Sequence, residues 1–172
     1  MDKVCRMQKI SAIARIATPI GLVELTADDG VLIGVRMDPT DNGPSHIPTG
    51  HSLLEAATAQ IRDWFAGKRK GFDLPLAPLE TARGEALREG IASIHYGETM
   101  TYGELATRIG SAPRAVGQAC RRNPFPIIIP CHRVTSSGGQ EFYSGGEGPR
   151  TKAWLIAFEQ GKQYRYGSDL LI

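Results

Sequence analysis

Apolar residues alternate or cluster in three short stretches near the N-terminus, with turn-forming residues between them. The stretches span residues 10–16, 22–25 and 31–37, and the intervening segments 18–21 and 28–30 contain Pro, Gly and Asp. Short apolar or alternating runs bounded by such residues are typical of strands joined by tight turns. The pattern therefore predicts a three-stranded antiparallel sheet.

The next periodic segment has helical spacing. It follows a polar loop over residues 38–51 and opens with Ser52 and Glu55 at the spacing of a capping box. Apolar residues then recur every three or four positions up to Gly67, namely Leu54, Ala57, Ile61, Trp64 and Phe65. We expect one helix that covers the sheet.

Leucine alternates with Pro and Ala over residues 74–79, which is typical of a linker. We place a domain boundary there. The prediction is an N-terminal α/β domain over residues 1–78 and a second domain over residues 79–172.

The second domain is predicted to be mostly helical. One helix is expected over residues 81–96, with Leu87, Ile91 and Ile94 buried, and a last helix over residues 150–160. Between them, Thr101 and Glu104 have capping-box spacing, and Pro113 suits the first turn of another helix. Two short helices joined by a tight turn are typical of a helix-turn-helix. The predicted fold class is α+β.

Three prolines in residues 123–134 surround a short apolar run that leads to a cysteine and a histidine. Because proline restricts its own φ and the residue before it, Ile127 to Ile129 are expected to be a buried extended segment that ends at Pro130. Cys131 and His132 follow. A thiol becomes a good nucleophile when a base such as imidazole removes its proton. Neighbours on a straight strand face opposite ways, so the pair needs a bend or a bridging water.

A blander interpretation treats Cys131 as a small buried apolar residue and His132 as a surface residue. Similarly, a carboxylate near a helix end, such as Glu159, is by default expected to be solvated. The residues around Cys131 favour a nucleophilic thiol over a small buried apolar residue.

Composition narrows the classes of protein. The 172 residues are 22% charged and contain no apolar run near the roughly 18 residues of a membrane helix. The first residues lack a signal-peptide core, so a cytoplasmic protein is expected, or a nuclear one in a eukaryote. Three cysteines without Cys-x-x-Cys spacing indicate neither a disulfide framework nor a zinc knuckle. No metal site is predicted.

The net charge of +2 is small, but positive charge is concentrated around the thiol. Residues 108–133 contain five arginines and no Asp or Glu. A patch of one sign suggests an anionic partner such as DNA. The predicted helix that starts near Pro113 also has an outer face suited to a DNA groove, formed by Arg114, Gly117, Gln118 and Arg121. An ordinary amphipathic helix pair is the alternative.

Several short motifs resemble those of one family, in order and approximate spacing. They are Tyr102-Gly103, Arg114-Ala115-Val116-Gly117, Asn123-Pro124, Pro130-Cys131-His132-Arg133-Val134, Tyr143-Ser144-Gly145-Gly146 and Glu159. Over residues 81–161 the chain resembles the O6-alkylguanine-DNA alkyltransferases, and the hairpin at residues 18–21 resembles their N-terminal sheet more weakly. The resemblance implies a ribonuclease H-like N-terminal domain.

The resemblance also implies a reaction. Cys131 would accept the alkyl group of O6-alkylguanine, and more weakly of O4-alkylthymine, irreversibly and once per molecule. His132 would act through a water as the base, Glu159 would orient the imidazole, and Asn123 would brace the turn. Tyr102 would rotate the nucleotide out of the stack and help to protonate the leaving guanine. No cofactor is implied.

The implied partner is double-stranded DNA, bound in the minor groove by a monomer. Val134, Tyr143 and Ser144, with Tyr102, would hold the flipped base. Arg114 would fill the space that the base leaves. The other implied DNA contacts are Gly103, Ala115, Gly117, Gln118, Arg121, Ser137 and Arg83.

Two other functions are compatible with parts of the sequence. An alkyltransferase-like or helix-turn-helix protein that binds DNA without chemistry would explain the arginines, but non-reactive relatives lack the acceptor thiol that Cys131 supplies. A Cys-His-Glu amidase would explain Cys131, His132 and Glu159, but not the arginine-rich segment without acids.

Overall fold

The computed structural model describes residues 12–38, 40–41, 43–138, 142–163, 165–166 and 169–170. Its first element is an antiparallel sheet of strands β1 (Ala12–Thr18), β2 (Gly21–Asp28) and β3 (Val31–Asp38), in that spatial order. The turn between β2 and β3 has positive φ at Asp29 (49°) and Gly30 (80°), as a tight hairpin requires. The predicted sheet is confirmed, except that residues 10 and 11 lie outside the described residues.

Helix α1 (Ser52–Phe65) packs across β1 and β2 and buries Leu54, Ala57, Ile61 and Trp64, as its periodicity predicts. Its predicted capping box is wrong. The N-cap is His51, whose Nδ1 accepts from the Leu54 backbone N–H at 3.3 Å. The Glu55 carboxylate instead accepts from the Gly50 N–H. Since His51 already caps the helix, Ser52 is its first residue.

The outer edge of β3 is covered by two later segments of the chain, at Pro75 and at Pro124. The Leu32 N–H donates to the Pro75 carbonyl at 2.9 Å, and the Val35 N–H donates to the Pro124 carbonyl at 2.8 Å. Pairing satisfies an edge that would otherwise expose free backbone groups. It also attaches the sheet to the segment that carries Cys131. The division into domains at residues 78 and 79 stays a prediction.

The second half contains four further helices among the described residues. Helix α2 spans Ala82–Ala92, α3 spans Tyr102–Arg108, α4 spans Pro113–Arg121 and α5 spans Pro149–Glu159. Short strands β4 (Met100–Thr101) and β5 (Val134–Thr135) pair in parallel, and β6 (Arg165–Tyr166) pairs with β7 (Asp169–Leu170). The Thr101 and Glu104 capping box before α3 is confirmed.

Helix α2 is shorter than predicted. The expected span ran to residue 96, but the helix ends at Ala92. Ile94 is buried all the same. Its apolar side chain therefore extended the periodic pattern beyond the end of the helix.

Candidate active site

The segment before Cys131 forms a tight turn, so the predicted extended conformation of Ile127 to Ile129 is wrong. The Ile129 N–H donates back to the Phe125 carbonyl at 2.8 Å, and Ile127 has φ 74°. A β-branched residue at positive φ costs about 1–3 kcal/mol and persists only where the surroundings enforce it. All three isoleucines are buried, as expected.

The side chain of Asn123 explains why this segment forms a turn, although its prolines favour an extended conformation. Its Oδ1 accepts from the Phe125 N–H at 3.0 Å, and its Nδ2 donates to the Ile129 carbonyl at 2.8 Å. The same Nδ2 lies 3.1 Å from Cys131 Sγ. Asn123 thus closes the turn and contacts the thiol that the turn presents.

Cys131 begins a single turn of 3-10 helix, Cys131–Arg133, and only 4% of it is exposed. Burial raises the pKa of the Cys131 thiol; the hydrogen bond from Asn123 and the positive charge of Lys152 oppose this but do not cancel it. The resting thiol is therefore protonated at neutral pH. Attack by this sulfur requires a group that takes its proton.

His132 follows Cys131 within the 3-10 turn, which supplies the bend that a straight strand lacks, and it is fully buried. Its ring packs edge-on at 6.4 Å from the ring of Trp64 in α1. Its Nε2 lies 2.8 Å from Glu159 Oε1, so we assign the Nε2 proton to this hydrogen bond. Nδ1 is buried with no hydrogen-bond partner among the described residues. Nδ1 is then the basic nitrogen.

Burial lowers the pKa of His132 below its usual value, although the hydrogen bond and charge of Glu159 oppose the shift. The imidazole is consequently neutral at pH 7 and able to accept a proton. Glu159 itself is buried, so the alternative expectation of a solvated carboxylate is wrong.

Arg133 completes a buried network that the sequence did not indicate. Its Nε and Nη2 donate to the two oxygens of Glu159, each at 2.9 Å, and Nη1 donates to the Ile94 carbonyl at 2.6 Å. Burial alone would raise the pKa of Glu159, but hydrogen bonds from His132 and Arg133 lower it to about 2. Arg133 therefore does not belong to an exposed basic patch, whereas Arg108, Arg114, Arg121 and Arg122 are exposed.

Lys152 is a second buried cation that sequence reasoning missed. It lies on α5, and its Nζ donates to the Val134 carbonyl at 2.6 Å and lies 5.7 Å from the centre of the Tyr102 ring. The Val134 carbonyl oxygen has a second lone pair, so this bond leaves it able to accept from a ligand as well. No motif around Lys152 distinguishes it from an exposed lysine.

A cavity of about 770 Å³ opens over the thiol. It brings together many of the predicted site residues, and none of the described residues that line it is acidic; the lining includes Tyr102, Arg114, Gly117, Gln118, Arg121, Cys131, Tyr143 and Ser144. The Tyr143 hydroxyl is buried, and burial followed by the charge of Cys131 raises its pKa well above the usual value. The cavity thus joins a thiol, aromatic rings and a basic rim.

The remaining predicted residues lie outside this cavity. Asn123 contacts Cys131 Sγ, His132, Val134 and Glu159 are buried, and Gly103 and Ser137 are exposed on α3 and after β5. Arg83 lines a separate cavity of about 740 Å³ between α2 and α4, together with Ala115 and Gln118. Among the described residues there is no cluster of three or more potential metal ligands. Within the same part of the chain, no helix has the length and apolar character to span a membrane.

Comparisons of this sequence with known proteins all match members of the same family. The model of the 6-O-methylguanine DNA methyltransferase DNA binding domain matches residues 84–161. The methylated-DNA--protein-cysteine methyltransferase of Methanosarcina acetivorans is 39% identical over 131 residues, covering 72% of this chain and 82% of the relative. That of Mycolicibacterium paratuberculosis is 36% identical over 152 residues, covering 84% and 90%.

Solved structures that resemble this chain belong to the same family. The O6-methylguanine methyltransferase of Mycobacterium tuberculosis superposes with a TM-score of 0.75 and 32% identity, covering 93% of this chain and 97% of that one. The M. tuberculosis OGT in complex with DNA gives a TM-score of 0.71 and 33% identity, covering 87% and 93%. Since relatives of that name match over most of both chains, this chain belongs to the methylated-DNA--protein-cysteine methyltransferase family.

Proposed function

We propose that this chain repairs DNA by moving the alkyl group of O6-alkylguanine, and more weakly of O4-alkylthymine, onto Cys131 Sγ once per molecule. The observation that carries the proposal is a buried thiol at the base of a cavity, followed in sequence by an imidazole whose Nε2 is held by Glu159. The shared name of the relatives describes transfer from DNA to a protein cysteine, which neither a purely binding protein nor an amidase performs.

The proposed chemistry begins with removal of the thiol proton. The thiol proton passes through a water to His132 Nδ1, whose other nitrogen is held by Glu159. The sulfur attacks the alkyl carbon, the C–O6 bond breaks, and its electrons go to the guanine, which Tyr102 helps to protonate. The product is a thioether and an unmodified guanine. A thioether has no leaving group that the site can use, so the protein is spent after one event.

The DNA-binding surface is proposed to be the exposed face of α4. Helices α3 and α4 would act as a helix-turn-helix in the minor groove, with Gly103, Ser137 and Arg83 contacting the flanks. The duplex buries the reacting atom in its stack, so the nucleotide must rotate into the cavity at a cost of a few kcal/mol. Arg114 would fill the gap, and Tyr102, Val134, Tyr143 and Ser144 would hold the base; in support, Arg114, Tyr102, Tyr143 and Ser144 line the cavity over the thiol.

We further propose that the chain acts inside the cell, as a monomer and with no cofactor. Its N-terminal sheet and α1 would form a ribonuclease H-like unit.

Arg114→Ala is expected to slow repair of duplex DNA by at least about tenfold, because the empty stack then opposes flipping. Reaction with free O6-benzylguanine should change less than about twofold, since no stack exists there. Single-turnover rates on both substrates measure the effect. Arg62→Ala, which removes an exposed arginine of α1, is the control. Equal losses on both substrates would show that Arg114 acts on the chemistry instead.

His132→Ala is expected to change how the transfer rate depends on pH. The lowered pKa of His132 and the raised pKa of Cys131 predict a nearly flat rate for the wild type from about pH 6.5 to 8.5. Without the base, only preformed thiolate reacts, so the rate should rise about tenfold per pH unit. Rates with O6-benzylguanine test this directly, with His132→Gln as a second variant. Parallel profiles would contradict the role of His132.

A further inference from the structure

Phe142 is the most exposed large apolar side chain among the described residues. It is 69% exposed, whereas Ile13 and Ile33, on the N-terminal sheet, are 39% and 40% exposed. A single exposed apolar residue needs no explanation by itself. Phe142 differs because it also lies at the site. The motif that predicted this part of the site begins at Tyr143 and assigns Phe142 no role.

Phe142 lies at the entrance of the cavity over the thiol. Its side chain lines that cavity together with Cys131 and with Tyr143, the next residue in the chain. The Tyr143 hydroxyl is buried beside the Cys131 sulfur, whereas the Phe142 ring is in contact with solvent. A ring that lines a cavity and is mostly exposed marks the boundary between the cavity and the solvent.

The backbone next to Phe142 is held by the loop that follows it. An added Cβ at Gly145 would lie 2.9 Å from the Tyr143 ring, and one at Gly148 would lie 3.3 Å from the Tyr143 carbonyl oxygen. Both glycines therefore let the loop before α5 fold closely around Tyr143. This packing keeps the neighbouring Phe142 ring at the entrance before a ligand binds, which lowers the entropic cost of binding.

The surroundings of the Phe142 ring suit a nucleobase. Arg114 and Arg121 line the same cavity and are exposed, and none of the described residues that line it is acidic. Arginines that attract phosphate, next to an aromatic ring that stacks on bases, are typical of sites for unpaired nucleotides. A base that leaves the duplex loses its stacking neighbours, and a ring at the entrance can replace one of them.

We propose that Phe142 stacks on the extrahelical alkylated base and thereby stabilises the flipped state. The inference rests on the proposed transfer to Cys131 and leaves its bond changes unaltered: the S–C bond forms and the C–O6 bond breaks. Phe142 and Arg114 then have different roles. Arg114 acts on the duplex that the base has left, whereas Phe142 acts on the base itself. The contribution of Phe142 therefore extends to a free alkylated base.

Single-turnover rates measured over a range of substrate concentrations separate binding of the base from the transfer step. The substrates are free O6-benzylguanine and a duplex oligonucleotide that carries O6-methylguanine. Phe142→Ala is expected to raise the half-saturating concentration of O6-benzylguanine by about tenfold, because one base–aromatic contact is lost. The limiting rate should change by less than about twofold, since the thiol and its base are untouched. Repair of the duplex should weaken to a similar extent.

Two further variants distinguish stacking from general apolar contact. Phe142→Trp keeps an aromatic face and should keep the half-saturating concentration within about twofold of wild type. Phe142→Leu keeps the apolar character without that face and should behave like Phe142→Ala. Ile33→Ala removes an exposed apolar side chain that does not line the cavity, so it is the control and should change neither quantity. Since Phe142 is exposed, its substitutions leave the core intact.

A wild-type half-saturating concentration in Phe142→Leu would overturn the inference, because an aromatic face would then not be needed. A loss confined to duplex DNA would also overturn it, since Phe142 would then act on the helix and not on the base. Either result, obtained with normal methyl transfer by the wild type, would leave the proposed function intact. A wild-type protein that takes up no methyl group at all would instead refute the proposed function.

Discussion

Arg133→Ala is expected to lower the free energy of unfolding by about 3–5 kcal/mol, because it leaves the Glu159 carboxylate buried without the two hydrogen bonds and the positive charge of Arg133. For a chain of this size, each kcal/mol corresponds to roughly 2–4 °C in melting temperature. Thermal and denaturant unfolding at pH 7 measure the loss. Arg122→Ala is the matched control, since Arg122 is exposed, and it should change stability by less than about 0.5 kcal/mol.

The stability difference between wild type and Arg133→Ala should depend on pH, because Arg133 pairs with the Glu159 carboxylate. The pKa of Glu159 is lowered to about 2, so its stabilising contribution is fully present above its unfolded pKa near 4.5. That contribution disappears as the pH falls towards 2. The stability gap between wild type and Arg133→Ala should therefore be widest near pH 7 and narrow below about pH 4. A gap that stays constant down to pH 3 would mean that Arg133 stabilises the fold by packing alone.

Cys131→Ser is expected to abolish transfer, with a loss of at least about a thousandfold, because a serine hydroxyl is far harder to deprotonate than a thiol. The side chain is nearly isosteric, so binding of alkylated duplex DNA should persist. Transfer of labelled methyl from DNA to protein and a binding titration separate the two properties. Cys5→Ser is the control. Residual labelling of Cys131→Ser at the wild-type rate would point to another nucleophile.

The elements that the sequence predicted well are those in which local pattern and burial agree. Alternation in β1 to β3 and the spacing of Leu54, Ala57, Ile61 and Trp64 in α1 match the buried faces. The proline rules failed at Ile127 because the Asn123 side chain satisfies the backbone groups of a turn. Such side-chain bonds compete with backbone preferences, and single-residue tendencies do not include them.

Site residues that are adjacent in the sequence could be predicted. The buried ion pair and hydrogen bond between residues far apart in the sequence could not. Cys131 and His132 are adjacent, but Arg133 meets Glu159, 26 residues away, and Lys152 meets the Val134 carbonyl on another element. Charged residues are exposed by default, so nothing in a single sequence indicates a buried arginine or lysine.

Intact-mass spectrometry after mixing with excess DNA that contains O6-methylguanine shows whether Cys131 accepts one methyl group and then stops. We expect a gain of one methyl group per chain, located on the peptide that contains Cys131 and absent from those that contain Cys5 and Cys120. Prolonged incubation should add nothing further. Turnover of more than one lesion per chain, or a methyl group on any other residue, would contradict this expectation.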